Sequence, residues 1–388
     1  MAELSRRKFL QLGASAAGLS AITPPWGGPA KLDVPNAPVA IGRCRNYNYA
    51  AVKSSLAGLF DLLGNVNALV AGKHVVIKVV AHPPADVDSL NQFMTYDSHA
   101  EVVKAAAKLF VERGATHVTI VENIYSTLGG AADFAAMGYN IASFQAEIGA
   151  PNLSFRNTRN LEGGASYVDR PVGSGAYLYD FFRMNRIYDV ENLPGGGVFV
   201  SLAKMKNHEV AGVTLAMKNL FGVAPSSQYG QAPPNENSTN SRGGSFHNAE
   251  AGYPGRNGNA AGPLAGDNVP RVIVDLNRAR PIHLAILDGI VAEHGGEGPW
   301  NRSHLGIAAP GLLLAGCNAL NVDSVAAAVM GYDPQAPDYR FPWANSRNHL
   351  ALAAAKGLGT TDIKQIEVRG LSIAKARYDM PPTRDGTP

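Results

Sequence analysis

The chain predicts an α/β protein, with a largely parallel sheet, helices on both faces and one long Gly/Asn-rich insertion. Two observations carry that prediction. Apolar runs of strand length recur, each closed by Gly, Pro, Asn or a polar residue. Segments with apolar residues at helical spacing alternate with them, and strand–helix alternation is the pattern of a parallel sheet covered on both sides.

The elements follow in order. Ala50–Leu63 sets Val52, Leu56, Leu59, Phe60 and Leu63 on one helical face. Val75–Val80 is the first strand run, and Lys78 lies inside it between Ile77 and Val79. Burying an unpaired ammonium costs several kcal/mol, so Lys78 calls for a carboxylate or a ligand. Ser98–Arg113 repeats Val102, Val103, Ala106, Leu109 and Phe110 at helical spacing and stops at Gly114. His117–Glu122, Gly197–Leu202, Leu284–Asp288 and Leu312–Gly316 read as further strands. Pro270–Arg278 predicts a short helix with Pro in its first turn. Val322–Met330 and Asn348–Lys356 predict two more, and the alternating Ile363–Val368 a half-exposed edge strand. Gln228–Asn268 lacks apolar periodicity and is rich in Gly, Asn, Ser and Pro. So long a run is a lid, or else disordered or wrapped on the surface, and its composition favours the second option.

The N-terminal residues Ser5-Arg6-Arg7-Lys8-Phe9-Leu10 form a twin-arginine arrangement. Leu12–Thr23 behind it is weakly apolar and short of the ~20 residues a membrane span needs. The expectation is a removable signal over residues 1–30 and one α/β domain over 31–388. The twin-arginine export machinery is then a partner, the location is periplasmic or extracellular, and no stable membrane span is expected. That route carries folded proteins, which leaves a divalent metal open as a cofactor. Removing the signal lowers the net charge from +3 to about +1, and only 17% of residues are charged against ~25% in average usage. This argues against nucleic acid or a polybasic membrane contact. Cys44 and Cys317 could pair in an oxidising compartment, but an iron–sulfur cluster takes four thiolates and is not expected.

The densest polar cluster follows the Gly197–Leu202 strand and holds Lys204, Lys206, Asn207, His208, Thr214, Lys218 and Asn219. Open α/β sheets bind ligands outside the carboxyl ends of their strands. Lysines there suit carboxylates or phosphates, and His208 suits acid/base work or metal ligation. Asp288 ends the Leu284–Asp288 strand ahead of the Gly-rich loop Glu293–Pro299, and is expected to orient His208 or hold a metal. Asp323 is expected to cap backbone amides. His82 and His99 match no metal spacing and read as ordinary surface histidines. Walker A, G-x-S-x-G, H-E-x-x-H and C-x-x-C patterns are absent, which removes support for those nucleotide, hydrolase and redox classes. The leading reading is an exported enzyme for a small anionic substrate. Lys78, Lys204, Lys206, Lys218 and Asn219 bind the substrate, and His208 and Asp288 are catalytic. A non-catalytic anion or metal binder, or a docking protein using the insertion, are the alternatives.

With these residues in view, the chain resembles the domain of unknown function 362 family over roughly residues 70 to 335. The carriers are Val76-Ile77-Lys78-Val79, Glu112-Arg113-Gly114-Ala115, Lys204-Met205-Lys206-Asn207-His208 and Gly212–Gly222. Asp288-Gly289-Ile290, Gly296–Pro299, Asn321-Val322-Asp323 and Met330-Gly331 continue them. The most specific piece is Thr214-x-x-x-Lys218-Asn219-x-x-Gly222. The resemblance implies a shared fold and site, without an established reaction. Some relatives carry ferredoxin-like cysteine clusters that this chain lacks, and Val80 and Ala81 stand where relatives often place Asn.

Overall fold

Eight short segments, most of them Val-, Ile- and Leu-rich, pair into one twisted sheet. They are β1 (Val39–Arg43), β2 (His74–Lys78), β3 (His117–Glu122), β4 (Leu153–Asn157), β7 (Gly197–Lys204), β10 (Leu284–Gly289), β13 (Leu312–Gly316) and β14 (Val368–Gly370). Three two-stranded ribbons complete the strand set: β5 (Tyr167–Pro171) with β6 (Phe181–Asn185), β8 (Lys206–His208) with β9 (Gly212–Thr214), and β11 (Ala292–His294) with β12 (Gly306–Ala308). The structure is a computed structural model that describes residues 37–82, 91–231, 233–296, 298 and 305–381. The expected signal over 1–30, and Glu297 and Pro299 of the Gly-rich loop, lie outside the described residues.

The sheet order is β14-β1-β13-β10-β7-β2-β3-β4. Of the eight strands only β13 runs against the others, which makes the sheet largely parallel, as the sequence predicts. From β2 the chain builds outward through β3 and β4, then returns to add β7 and β10 on the other side. The reversal falls between β2 and β7, and such a switch point opens a crevice at the strands' carboxyl ends.

Side chains alternate across each strand and feed two cores. Val75, Ile77, Val200 and Leu202 pack with helices Tyr49–Leu63 and Ala100–Glu112 on one face. Val76, Phe199, Leu287 and Leu314 pack with helices Ala265–Ala279 and Ala319–Val329 on the other. The helix ends carry their own signals. Asn48 caps the first through Ala51 N (3.2 Å), and Gly64, at φ 79°, closes it. Helix Ala265–Ala279 starts five residues before the expected Pro270, which therefore sits inside it. Proline cannot donate to the Gly266 carbonyl one turn back, and Arg347 N does so instead (3.0 Å).

Two expectations change, and a third is narrowed to one of its options. The final edge strand is Val368–Gly370, because Asp362 accepts from Lys364 N and folds Ile363–Gln365 into a 3-10 turn. Gln228–Asn268, Ala232 apart, wraps the surface with most of its residues exposed or half-buried, and is pinned to the core at a few buried ones. Phe246 is fully buried, with ring centroids 5.1 Å from Phe221, 5.4 Å from Tyr229 and 5.7 Å from Tyr179. Cys44 and Cys317 are both buried and free. Each follows one strand of the antiparallel β1–β13 pair, in which Arg43 faces Leu312 and Val39 faces Gly316, so the two thiols lie at opposite ends of the ladder. No helix among the described residues is long and apolar enough to cross a membrane.

Candidate functional site

A cavity of about 650 Å³ lies where β2, β3 and β7 end. Lys78, His82, Tyr96, Glu122, Asn123, Lys206, His208, Thr214, Lys218, Asn219, Phe221 and Arg242 contribute to its wall. Five of the sequence-predicted residues therefore meet there: Lys78, Lys206, His208, Lys218 and Asn219.

Lys78 is the structural post of this wall. Its ammonium donates to Glu122 Oε2 (2.8 Å), Asn219 Oδ1 (2.9 Å) and Val79 O (2.7 Å), which uses its three protons. The partner expected for a lysine within an apolar strand is thus the Glu122 carboxylate. Burial pulls the Lys78 pKa down and Glu122 opposes that pull. Asn219 also donates to Lys78 O (3.0 Å) and Ser201 Oγ (3.0 Å), binding the Lys218–Val223 turn to β2 and β7. Neither Lys78 nor Asn219 has capacity left for strong ligand contacts, so both hold the wall in place.

The β8–β9 ribbon supplies the next groups. Alternation puts Lys206 and His208 on one side and Asn207 on the other. Asn207 is tied to Pro381 O, Tyr332 Oη and Gly295 N, while Thr214 sits directly across the ladder from Lys206. The Lys206 ammonium lies 2.8 Å from the Tyr96 ring centroid and 3.9 Å from Glu293 Oε1. His208 Nδ1 accepts from Val210 N and Ala211 N, both at 3.1 Å. Its lone pair is therefore committed and the ring proton rests on Nε2. Burial, then Lys218 and Lys206, hold the His208 pKa well below the usual histidine value, so the ring is neutral.

Lys204 and Asp288 are corrections. Lys204 keeps the phase of Val200 and Leu202 and so points to the opposite face of β7. There it pairs with Asp288 Oδ2 at 2.7 Å, and it also donates to Met94 O (2.7 Å) and Tyr47 Oη (3.0 Å). Asp288 further accepts from Tyr47 Oη, His99 N and Ile290 N. Both are fully buried and neither lines the cavity, so Asp288 does not orient His208 and Lys204 does not bind a ligand there. His99 caps helix Ala100–Glu112 through Glu101 N, and its ring stacks on Tyr47. His82 is a cavity residue rather than an ordinary surface histidine. Asp323 accepts Ala216 N and Met217 N, both at 2.9 Å, so it caps the loop leading to Lys218 and not its own helix, which Asn318 caps.

Sequence reasoning missed Asn123 and Arg242. Asn123 Oδ1 accepts from Ser226 N (2.9 Å), and its buried Nδ2 has no hydrogen-bond partner among the described residues. The buried Thr214 Oγ1 likewise has none among them. Arg242 comes from the insertion. It gives Nε to Ala224 O and Nη1 to Tyr125 Oη, both at 2.7 Å, while Nη2 takes no partner among the described residues. Three or more His, Cys, Asp or Glu side chains do not gather into a metal-holding group among the described residues. The wall is instead rich in donors and positive charge, which suits an anion with several acceptor oxygens.

An open α/β fold with a crevice at its switch point is the class that this geometry defines. The family model for the domain of unknown function DUF362 matches residues 89–328, more than half of the chain, and the protein belongs to that family. A crystal structure of a Thermotoga maritima protein, a structural-genomics target, is similar at 15% identity and a TM-score of 0.35. The similarity covers 70% of this chain and 56% of that one. No curated protein matches the chain.

Proposed function

We propose that this protein is exported by the twin-arginine route, binds a small organic anion in the cavity and acts on it. One observation carries the reading: Asn123 and Thr214 line the cavity, and Asn123 Nδ2 and Thr214 Oγ1 are buried with no hydrogen-bond partner among the described residues. An unsatisfied buried polar group costs about 1–3 kcal/mol, and a ligand oxygen relieves that cost. Lys206, Lys218 and Arg242 supply positive charge. The neutral His208 acts through its Nε2–H as a donor to developing negative charge rather than as a proton-accepting base. Binding without chemistry is the second reading, favoured by the commitment of His208 Nδ1 to two amides.

A panel of carboxylates and phosphate esters tests both readings. In the enzymatic case His208→Ala lowers turnover about 100-fold while ligand affinity changes less than about threefold. Saturable binding with no turnover of any bound anion leaves the binding reading, and unchanged turnover in His208→Ala removes the role given to the histidine. For export, replacing Arg6 and Arg7 together by Lys is expected to keep the protein in the cytoplasmic fraction. Unaltered export of that variant would refute the route.

A further inference from the structure

The wall of the cavity is unbalanced in a way that one carboxylate does not match. Lys78, Lys206, Lys218 and Arg242 line it, and among the described residues Glu122 is its single carboxylate. Glu122 is spent on Lys78. Glu293 stands 3.9 Å from Lys206, and the buried Asp97, 3.9 Å from His82 Nδ1, also interacts electrostatically with Lys206. Arg242 adds a further positive charge at the wall, and Lys218, with its ammonium 3.9 Å from the Phe221 ring centroid, lines it too.

The donors also come from different directions. Asn123 follows the end of β3, with its amide turned by the Ser226 N contact so that Nδ2 is left over. Thr214 lies on the β8–β9 ribbon across from Lys206. Arg242 arrives from the insertion, braced by Ala224 and Tyr125, with Nη2 left over. A carboxylate is planar, carries one charge and offers two oxygens. A phosphate monoester carries nearly two charges at neutral pH and offers three oxygens in a tetrahedral spread. Phe221, Tyr125 and Val80 provide apolar wall for the rest of such a molecule.

Building on the anion-binding reading, we infer that the cavity takes a dianionic phosphate monoester with a small apolar body. Its phosphoryl oxygens meet Asn123 Nδ2, Thr214 Oγ1 and Arg242 Nη2. Arg242 makes the Gly/Asn-rich insertion part of the binding site, and it supplies the charge that separates a dianion from a monoanion.

Calorimetry with three probes tests this: phenyl phosphate, its methyl ester (methyl phenyl phosphate, a monoanion of similar shape) and benzoate. The wild-type protein is expected to bind phenyl phosphate at least about tenfold tighter than the other two. Arg242→Gln should bring that ratio below about threefold with little change for the methyl ester. Because Arg242→Gln also loosens the insertion, Thr214→Val serves as the second variant. It keeps the side-chain shape, removes the unpartnered hydroxyl, and should weaken phenyl phosphate about tenfold with a melting temperature of the free protein that is unchanged or raised. Equal affinity for all three probes overturns the dianion inference and leaves the anion site standing. Phenyl phosphate binding that neither substitution alters overturns the assigned contacts. If none of the three binds, the anion-site reading fails with it.

Discussion

At Gly222 the Lys218–Val223 turn passes against the buried pair of Lys78 and Glu122. A Cβ built there would overlap Glu122 Oε1 and come within 2.5 Å of Lys78 Cε. The close approach lets Asn219, three residues earlier, reach both Lys78 and Ser201. Each fixed position of the Thr214-x-x-x-Lys218-Asn219-x-x-Gly222 stretch thus has its own cause: a cavity donor, a cavity cation, a clamp and a clearance. Gly222→Ala should destabilise the protein by about 1–3 kcal/mol, as overpacking does. Gly58→Ala is the matched control, because Gly58 is exposed inside helix Tyr49–Leu63 with no atom within 4 Å of its built Cβ. That substitution should stabilise by about 0.5–1 kcal/mol. Urea unfolding of the two variants reads the opposite signs, and equal effects would show that Gly222 is not held by this contact.

At the scale of elements, long apolar periods were legible and short or mixed ones were not. Val75–Val80, His117–Glu122 and Leu312–Gly316 announce strands because both of their faces are buried, and helix Ala100–Glu112 declares its period and its Gly114 stop. β4, with the sequence LSFRN, hides because it is a sheet edge whose partly exposed residues need no apolar run. β1 hides because its five residues precede a loop and carry little pattern of their own. The candidate site was half legible. Clustered cations after β7 located it, but sequence distance does not show on which face a side chain lies. Lys204 and Lys206 are two residues apart, yet the chain leaves β7 between them, and only Lys206 enters the cavity. Asn123 and Arg242 had no local signal, since one follows an ordinary strand and the other lies in a segment whose burial comes from scattered aromatics. The Asp288 assignment failed because the end of a strand is a position for buried ion pairs as well as for ligands.

The whole molecule is poised between two opposing sets of buried titratable groups. Burial holds His74 and His99 at about 4 and His349 at about 3, so these rings stay neutral in the fold while their unfolded counterparts protonate below about 6.5. Between pH 4 and 6.5 the unfolded chain then binds more protons at these sites, and their stabilisation is lost as pH falls. Asp323 works in the other direction. Burial raises its carboxyl to about 7 despite the two amides it accepts, so between about pH 4 and 7 the folded form holds a proton that the unfolded form has lost. Its contribution therefore declines as pH rises through that window. The two groups can be separated by measuring unfolding free energy in urea at pH 5 and pH 6. His349→Gln keeps an acceptor for Trp343 Nε1 but cannot titrate, so it should lower the rise in stability from pH 5 to 6 by about 1 kcal/mol. Asp323→Asn should increase that rise by a similar amount, although its stability at both pH values falls because one of the amides of Ala216 and Met217 loses its acceptor. If both variants change the pH slope in the same direction, or neither changes it, the balance does not reside in these two side chains.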